Sequence, residues 1–134
     1  MRAAARGVPQ AAPGVDRPVT IAEIGELLDC KVICGEDRMA AEVGECFAAD
    51  LMSDVLAFSR PGAILVTGLV SIQSVHTADV ADLRAIVFVH GKRPADVVIE
   101  LARRHGIPLL TTRHFMFETC GLLYGRGLRP AGKL

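Results

Sequence analysis

Three continuous apolar runs of strand length dominate the hydrophobic pattern of the chain. They are AILVT at 63–67, AIVFV at 85–89 and IPLLT at 107–111. A continuous apolar run of about four to eight residues is typical of a strand that is buried on both faces. Amphipathic segments separate the runs, and strands that alternate with helices at short intervals form parallel sheets with right-handed crossovers. The second half of the chain therefore predicts a parallel sheet covered by helices.

Residues that start and end helices place the predicted helices between these runs. Apolar spacing predicts a short helix over 71–78. Pro94 suits the first position of the next helix because it lacks an amide hydrogen, and Gly106 suits its end. Thr112 is expected to cap the last helix, which extends to about Leu123.

The first half of the chain begins its regular structure at Thr20, which forms a T-x-x-E capping box with Glu23. Strands are predicted at 31–35 and 42–50, and a short helix at 51–58. The first helix presents one apolar face, made of Ile21, Ile24, Leu27 and Leu28.

Asp50, Ser53 and Asp54 cluster at the start of the predicted helix 51–58. A serine beside an aspartate can indicate a nucleophile. Capping by Asp50 or Ser53, which satisfies the free amides of the first turn, is the simpler interpretation and the one we favour. A small enzyme that uses Ser53 or Cys120 stays open as an alternative.

Composition indicates one folded domain. A chain of 134 residues has the length of a single domain, and 51% hydrophobic residues exclude disorder. Aromatic residues make up only 4%, so the core is expected to be aliphatic. The predicted fold is an α/β single domain with a mostly parallel sheet flanked by helices. Its predicted boundaries are a flexible tail at 1–17, the domain at 18–124 and a basic C-terminal tail at 125–134.

The balance of charged residues limits the kinds of partner that the protein is expected to bind. Fifteen Lys and Arg balance fifteen Asp and Glu, whereas a nucleic-acid binder usually carries a basic excess. Neutrality also gives no electrostatic attraction to anionic membranes, and no apolar run approaches the roughly 20 residues of a membrane span. No apolar segment follows Arg2 and Arg6, so a secretory signal is not expected. We therefore expect a cytoplasmic protein that binds neither nucleic acid nor membrane, and whose low net charge eases self-association.

Motifs for catalysis, cofactors and metals are missing from the sequence. Neither the phosphate loop G-x-x-x-x-G-K-[ST] nor the dinucleotide fingerprint G-x-G-x-x-G occurs, and the four histidines do not pair at metal-binding spacing. Cys30 and Cys34 form a C-x-x-x-C pair, which differs from the C-x-x-C pairs of zinc sites. We expect these thiols, with Cys46 and Cys120, to be reduced and structural. No catalytic residue, metal or cofactor is predicted.

Polar residues that follow the three apolar runs form the candidate ligand site. Ligands of open parallel sheets bind beyond the carboxyl ends of the strands, so three neighbouring strands would bring these loops to one edge. Hydroxyls, glycine amides and cations there suit a small anion such as a phosphate or carboxylate. Ordinary turn, cap and solvation roles are the alternative. The predicted ligand-binding residues are Thr67, Gly68, Gly91, Lys92, Arg93, Thr111 and Thr112.

Five short segments in a fixed order resemble the DRTGG domain family over about 19–124. They are DLMSDV at 50–55, GAILVTG at 62–68, QSVHTA at 73–78, GKRP at 91–94 and GIPLLTT at 106–112. The literal D-R-T-G-G string does not occur, and the loop at 90–94 is its nearest equivalent. The family is similar to the N-terminal, non-catalytic domain of HPr kinase/phosphorylase.

The resemblance implies a regulatory function without catalysis. Such domains occur in phosphotransacetylases and in pyrophosphatases with nucleotide-sensing CBS domains, and stand-alone versions lie beside genes of iron-only hydrogenases. We therefore expect a homodimeric, ligand-sensing module that binds a small anionic metabolite or nucleotide and is linked to hydrogenase or redox metabolism. The alternative is an assembly or interaction protein for a redox complex, without a small ligand, that docks through exposed apolar residues such as Met52, Phe115 and Met116.

Overall fold

A computed structural model describes residues 18–133 of the chain. The predicted flexible tail at 1–17 lies outside the described residues. Within these residues the structure has five α-helices, eight strands and one 3-10 turn at Glu36–Arg38. The helices are α1 (Ile21–Leu27), α2 (Met52–Phe58), α3 (Ile72–Val80), α4 (Asp96–His105) and α5 (Met116–Arg126). The strands are β1 (Val19–Thr20), β2 (Lys31–Cys34), β3 (Glu42–Val43), β4 (Glu45–Ala48), β5 (Ile64–Thr67), β6 (Ala85–Phe88), β7 (Leu109–Thr111) and β8 (Arg129–Pro130).

Six strands form one mostly parallel sheet in the order β2-β7-β6-β5-β4-β8. Every neighbouring pair in it is parallel except β2 with β7, which is antiparallel. β1 and β3 form a separate antiparallel pair. The three apolar runs become β5, β6 and β7 at the centre of the sheet, where both faces of each strand are covered. The predicted fold class is confirmed.

Helices cover both faces of the sheet and create two aliphatic core layers. Side chains alternate between faces along a strand, so Leu65 packs towards α2, α3 and α4 whereas Ile64 packs towards α1 and α5. Phe88 is the largest fully buried side chain. Full burial of a side chain of this kind stabilises a fold by about 1.5–3 kcal/mol. Within residues 18–133, no helix is both long and apolar enough to span a membrane.

The capping box at the start of α1 is present as predicted. The Glu23 amide donates to the Thr20 hydroxyl at 3.1 Å, and the Thr20 amide donates to the Glu23 carboxylate at 3.0 Å. Ile21 and Ile24 are fully buried on the core side of the helix. Both partners of the box lie within one turn, so a local sequence pattern suffices to define it.

Two predicted helix starts are wrong by a few residues. α4 begins at Asp96 with Ala95 as its N-cap, so Pro94 precedes the helix instead of opening it. α5 begins at Met116, four residues beyond the predicted cap Thr112. The Thr112 hydroxyl donates instead to the Leu28 carbonyl oxygen at 2.7 Å. This bond connects Thr112 to the end of α1 and not to α5.

Residues predicted as a basic tail at 125–134 belong to the fold as far as they are described. α5 continues to Arg126, and β8 then pairs with β4 at the edge of the sheet. The Ala131 amide donates to the Cys46 carbonyl oxygen at 3.0 Å. Leu128 and Ala131 are buried in the two core layers, and their burial holds this segment against the sheet.

The predicted strand at 42–50 divides at Gly44 into β3 and β4. β3 pairs with β1 in the small sheet, whereas β4 pairs with β5 in the large one. The two strands belong to different sheets, and Gly44 is the residue between them. β4 ends at Ala48, which places Asp50 beyond the carboxyl end of a strand parallel to β5.

Candidate functional site

The carboxyl ends of β5, β6 and β7 lie side by side, as the sequence predicted if the three strands were neighbours. Thr67 is opposite Phe88 on β6, and Phe88 is opposite Thr111 on β7. The loops that follow therefore meet at one edge of the sheet. We use the name rim for the residues that line this edge, which are Asp50, Thr67, Gly68, His90, Gly91 and Lys92.

The Asp50 carboxylate is the acceptor at the centre of the rim. Its Oδ1 accepts a hydrogen bond from the Gly68 amide at 2.7 Å and another from the Thr67 hydroxyl at 3.1 Å. The Thr67 oxygen in turn accepts from the Leu69 amide at 3.1 Å. Thr67 and Gly68 are buried, whereas Asp50 is exposed. An amide and a hydroxyl that converge on one oxyanion form a geometry suited to anions.

Capping of α2 by Asp50 or Ser53, predicted from the sequence, is wrong. The N-cap of α2 is Leu51, and no side chain bonds to the amides of its first turn. Asp50 lies one residue earlier and points to β5, where the Gly68 amide and the Thr67 hydroxyl bind it. Ser53 is exposed on the helix. The physical reason is competition, because the Thr67 hydroxyl at the end of β5 and the Gly68 amide just after it bind the carboxylate in place of the α2 amides.

Lys92 links the loop after β6 to both neighbouring strands. Its Nζ donates to the Gly68 carbonyl oxygen at 2.9 Å, so the same glycine binds Asp50 through its amide and Lys92 through its carbonyl. The Lys92 carbonyl oxygen accepts from the Thr111 hydroxyl at 2.6 Å. An ammonium has three donor hydrogens, so two remain for other acceptors. Lys92 thus supplies a cation beside the Gly68 carbonyl.

His90 and Gly91 bend the chain sharply at the end of β6. Both have a left-handed backbone, with φ of 69° and 68°. That conformation costs a residue with a Cβ roughly 1–2 kcal/mol, which falls on His90. Two backbone bonds hold the turn, from the His90 amide to the His114 carbonyl at 2.9 Å and from the Gly91 amide to the Thr112 carbonyl at 2.7 Å. The His90 ring packs on Phe115, with ring centroids 4.6 Å apart.

The hydroxyls of Thr111 and Thr112 form hydrogen bonds with the protein backbone. Both side chains are buried, and each hydroxyl donates to a backbone carbonyl, that of Lys92 or that of Leu28. A ligand could take either hydroxyl only by breaking one of these bonds. The structure therefore gives both residues a positioning role in the loop, and their predicted contact with a ligand stays a prediction.

Arg93 turns away from the other predicted ligand-binding residues. It lines a depression of about 460 Å³ between the α4 side chains and β2, together with Ile33, Asp96 and Glu100. Among the other predicted residues, Thr67 and Gly68 both donate to Asp50, Lys92 donates to Gly68, and Thr111 donates to the Lys92 carbonyl. Gly91 is adjacent and adds the tight turn that brings Lys92 to Gly68.

Exposed apolar side chains surround the polar rim. They lie at the N-cap or in the first turn of the helices that follow the strands, so they share this end of the sheet. Phe117 is the most exposed, at 88%. Met52, the first residue of α2, was expected to be exposed but is buried. Phe115 is exposed, as expected. The exposed residues at this end are Leu51, Ile72, Val97, Phe115 and Phe117.

Burial makes the cysteines weak nucleophiles. It raises the pKa of Cys30 and of Cys46 to about 12, with smaller additions from Asp29 and from Cys120 respectively. Burial also raises the pKa of Cys34 and of Cys120. The reactive form of cysteine is the thiolate, so these thiols are poor candidates for covalent catalysis. No group of three or more metal-binding side chains occurs in the part of the chain that the structure describes.

Two rim residues, Asp50 and His90, are missing from the predicted ligand-binding set. The rule that gave Thr67 also applies to Asp50, because Asp50 follows the carboxyl end of β4, a parallel neighbour of β5. The sequence did not predict that this strand pairs with β5, so Asp50 was not placed beside Thr67. His90 lies in the predicted loop after β6, and its left-handed backbone is visible only in the structure.

Fold and rim together define a class of protein, a small α/β module that presents polar loops at the carboxyl ends of parallel strands. The model of the DRTGG domain family matches residues 23–124. The chain belongs to the DRTGG domain family. None of the curated proteins matches the chain detectably.

A solved structure supports the same fold. It contains the CBS and DRTGG domains of the regulatory region of a Clostridium perfringens pyrophosphatase, complexed with an activator, diadenosine tetraphosphate. The TM-score is 0.68 at 20% sequence identity, and the match covers 82% of the present chain. It covers 47% of the pyrophosphatase chain, so the present protein corresponds to about half of that regulatory region.

Proposed function

We propose that this chain is a non-catalytic regulatory module that binds a small anionic metabolite or nucleotide at the rim. One observation carries the proposal: the Gly68 amide and the Thr67 hydroxyl converge on an oxyanion, the Asp50 carboxylate. A phosphate or carboxylate oxygen of a ligand has the same acceptor chemistry. Lys92 adds a positive charge at the neighbouring carbonyl.

Family membership supports the regulatory part of the proposal. The pyrophosphatase region that shares this fold is regulatory and was solved with a dinucleotide polyphosphate activator. We therefore include nucleotides among the ligands to be tested here. The exposed ring of Phe115 next to the rim offers a surface on which a nucleotide base could stack.

Absence of catalysis is proposed on the chemistry of the candidate nucleophiles. Raised pKa values of Cys46 and Cys120 oppose thiolate formation. Ser53 is exposed on α2, and the nearby Asp50 is committed to Gly68 and Thr67. The sequence also lacks the phosphate loop G-x-x-x-x-G-K-[ST] with which one large class of kinases binds ATP.

A homodimer in the cytoplasm, linked to hydrogenase or redox metabolism, completes the proposal. The link to redox metabolism rests on the family resemblance. The dimer rests on the zero formal net charge, which weakens repulsion between copies, and on the exposed apolar residues around the rim.

An interaction protein without a small ligand is the second candidate function. The observation that favours it is the set of exposed apolar side chains Leu51, Ile72, Phe115 and Phe117 at one end of the sheet. Apolar clusters bordered by polar groups mark protein interfaces. Under this alternative, the protein would dock onto a redox complex through that end.

A thermal-shift screen separates the two candidates. The purified protein is heated with inorganic phosphate, pyrophosphate, AMP, ATP and diadenosine tetraphosphate in turn. A ligand present at a hundred times its Kd stabilises the fold by about 2.7 kcal/mol, which raises the melting temperature measurably. A rise with any of these anions supports the ligand-binding module. If none raises the melting temperature, the interaction protein becomes the better account.

A further inference from the structure

Asp50 uses the donors that an anionic ligand would need. A backbone amide and a hydroxyl have one hydrogen each, and both of these hydrogens point to Oδ1 of Asp50. An incoming phosphate oxygen can bind to Gly68 and Thr67 only where that carboxylate now lies. Lys92 differs, because one bond to the Gly68 carbonyl leaves it two hydrogens for a ligand.

We propose that Asp50 is an internal competitor for the anion site, and that a ligand binds by displacing its carboxylate from Gly68 and Thr67. This inference rests on the proposed function and adds the mechanism by which the site is regulated. The bound anion would then accept the bonds that Asp50 releases, while Lys92 balances its charge. Repulsion between the ligand and the nearby carboxylate would favour the displaced position.

Displacement of Asp50 connects the rim to α2. Ala49, just before Asp50, is held to β5 by its amide, which donates to the Val66 carbonyl at 3.1 Å. Leu51, just after Asp50, is the N-cap of α2 and lacks a side-chain capping bond. The hydrogen bonds of the Asp50 side chain therefore connect the residue before α2 to Thr67 and Gly68. When the carboxylate is displaced, the first turn of α2 loses this connection.

A ligand can shift a protein between two states only if its contacts differ between them. Occupied and displaced Asp50 are two such states, because the ligand can bind Gly68 in the second alone.

Binding of pyrophosphate to five forms of the full chain tests the inference by calorimetry. The forms are the wild type, Asp50→Asn, Asp50→Ala, Lys92→Met and the control Asp54→Asn. Asp54→Asn makes the same charge change in the first turn of α2, but Asp54 is not a rim residue. We expect Asp50→Ala, which removes the charged acceptor, to bind pyrophosphate about tenfold more tightly than the wild type. Asp50→Asn should also bind more tightly, but by a smaller factor, because its amide oxygen can still accept from Gly68 and Thr67. The control should stay within about twofold of the wild type.

Three results would overturn the inference, and they differ in what they say of the proposed function. If the wild type binds and Lys92→Met weakens binding while both Asp50 variants match the wild type, the rim binds anions but Asp50 is no competitor. If both Asp50 variants bind more weakly, Asp50 is part of the ligand site. If no form binds any anion of the screen, the proposed function fails together with the inference.

Amide NMR of the wild-type protein gives a second measurement that does not depend on the folding of a variant. Saturation with pyrophosphate should shift the Gly68 amide, whose acceptor changes, and the amides of Met52 and Ser53 at the entrance of α2. Shifts at Gly68 without shifts in the first turn of α2 would contradict the coupling. An unchanged Gly68 amide under saturation would contradict the displacement itself.

Discussion

The same substitution, Thr→Val, should have opposite effects at two fully buried positions. Thr67 and Thr119 are each 0% exposed, and valine has nearly the shape of threonine. The Thr67 hydroxyl donates to Asp50 and accepts from the Leu69 amide. The Thr119 hydroxyl has no hydrogen-bond partner among the residues that the structure describes. The difference between the two variants therefore isolates the worth of the rim hydrogen bonds.

The expected changes in the free energy of unfolding follow from the hydrogen bonds, or the unpaired hydroxyl, that each substitution removes. Thr67→Val removes a bond to a charged acceptor, worth about 1.5–3 kcal/mol when buried, and a bond to an amide, worth about 1 kcal/mol. Asp50 is exposed, which places the first bond at the low end of its range. We expect a loss of about 2.5 kcal/mol. Thr119→Val removes an unpaired buried hydroxyl and should stabilise the fold by about 1 kcal/mol.

Urea unfolding followed by far-ultraviolet circular dichroism measures both effects, because the chain has no Trp and only one Tyr for fluorescence. The slope of the free energy of unfolding against urea should stay constant, so that changes in the midpoint report stability alone. If Thr67→Val lost less than about 0.5 kcal/mol, the hydrogen bonds at the rim would have little weight and the reasoning would fail. A destabilised Thr119→Val would show that its hydroxyl has a partner.

Further predictions concern a tight turn and the cysteines. Gly35 has φ of 87°, and a Cβ there would lie 2.5 Å from the Pro108 Cα, so Gly35→Ala should cost about 3 kcal/mol by chemical denaturation. Gly44→Ala is the matched control, since a Cβ there meets no atom within 4 Å, and should change stability by less than about 0.5 kcal/mol. Burial raises the pKa of Cys30 and Cys46 to about 12, so iodoacetamide at a pH of about 8 should alkylate them about a thousandfold more slowly in the folded than in the unfolded protein, by mass spectrometry. The unfolded thiols lose their protons first, so the free energy of unfolding should fall as the pH rises from about 8.5 towards about 12. Rapid labelling of either thiol, or stability that rises over that pH range, would contradict the burial.

Local patterns predicted much of the fold, whereas features that depend on tertiary contacts escaped prediction. The capping box of Thr20 and Glu23 lies within four residues, and the apolar runs of the central strands are long enough to identify from sequence. β8 has only two residues, one of which is Pro130, so no periodicity could reveal it. Its position depends on pairing with β4 and on the burial of Leu128.

The rim shows the same division between local and tertiary information. Thr67, Gly68 and Lys92 could be proposed because the strand-end rule needs only the positions of the strands. Asp50 was assigned to α2 because an aspartate before a helix has the same local pattern whether it caps the helix or contacts another strand. Only the pairing of β4 with β5 brings the Gly68 amide within 2.7 Å of its carboxylate. Side chains such as Thr112 and Arg93 turn away from the rim for reasons that no local pattern contains.

Calorimetric titration of the wild type and of two variants that each remove one cation tests the central claim, that the rim binds an anion, most directly. Pyrophosphate and diadenosine tetraphosphate are titrated into the wild type, Lys92→Met and Arg104→Met, the last removing an exposed cation from the last turn of α4. We predict binding to the wild type and to Arg104→Met, and affinity at least about tenfold lower for Lys92→Met, since a charged hydrogen bond is lost. Equal affinity in all three proteins, or no binding to the wild type, would contradict the claim.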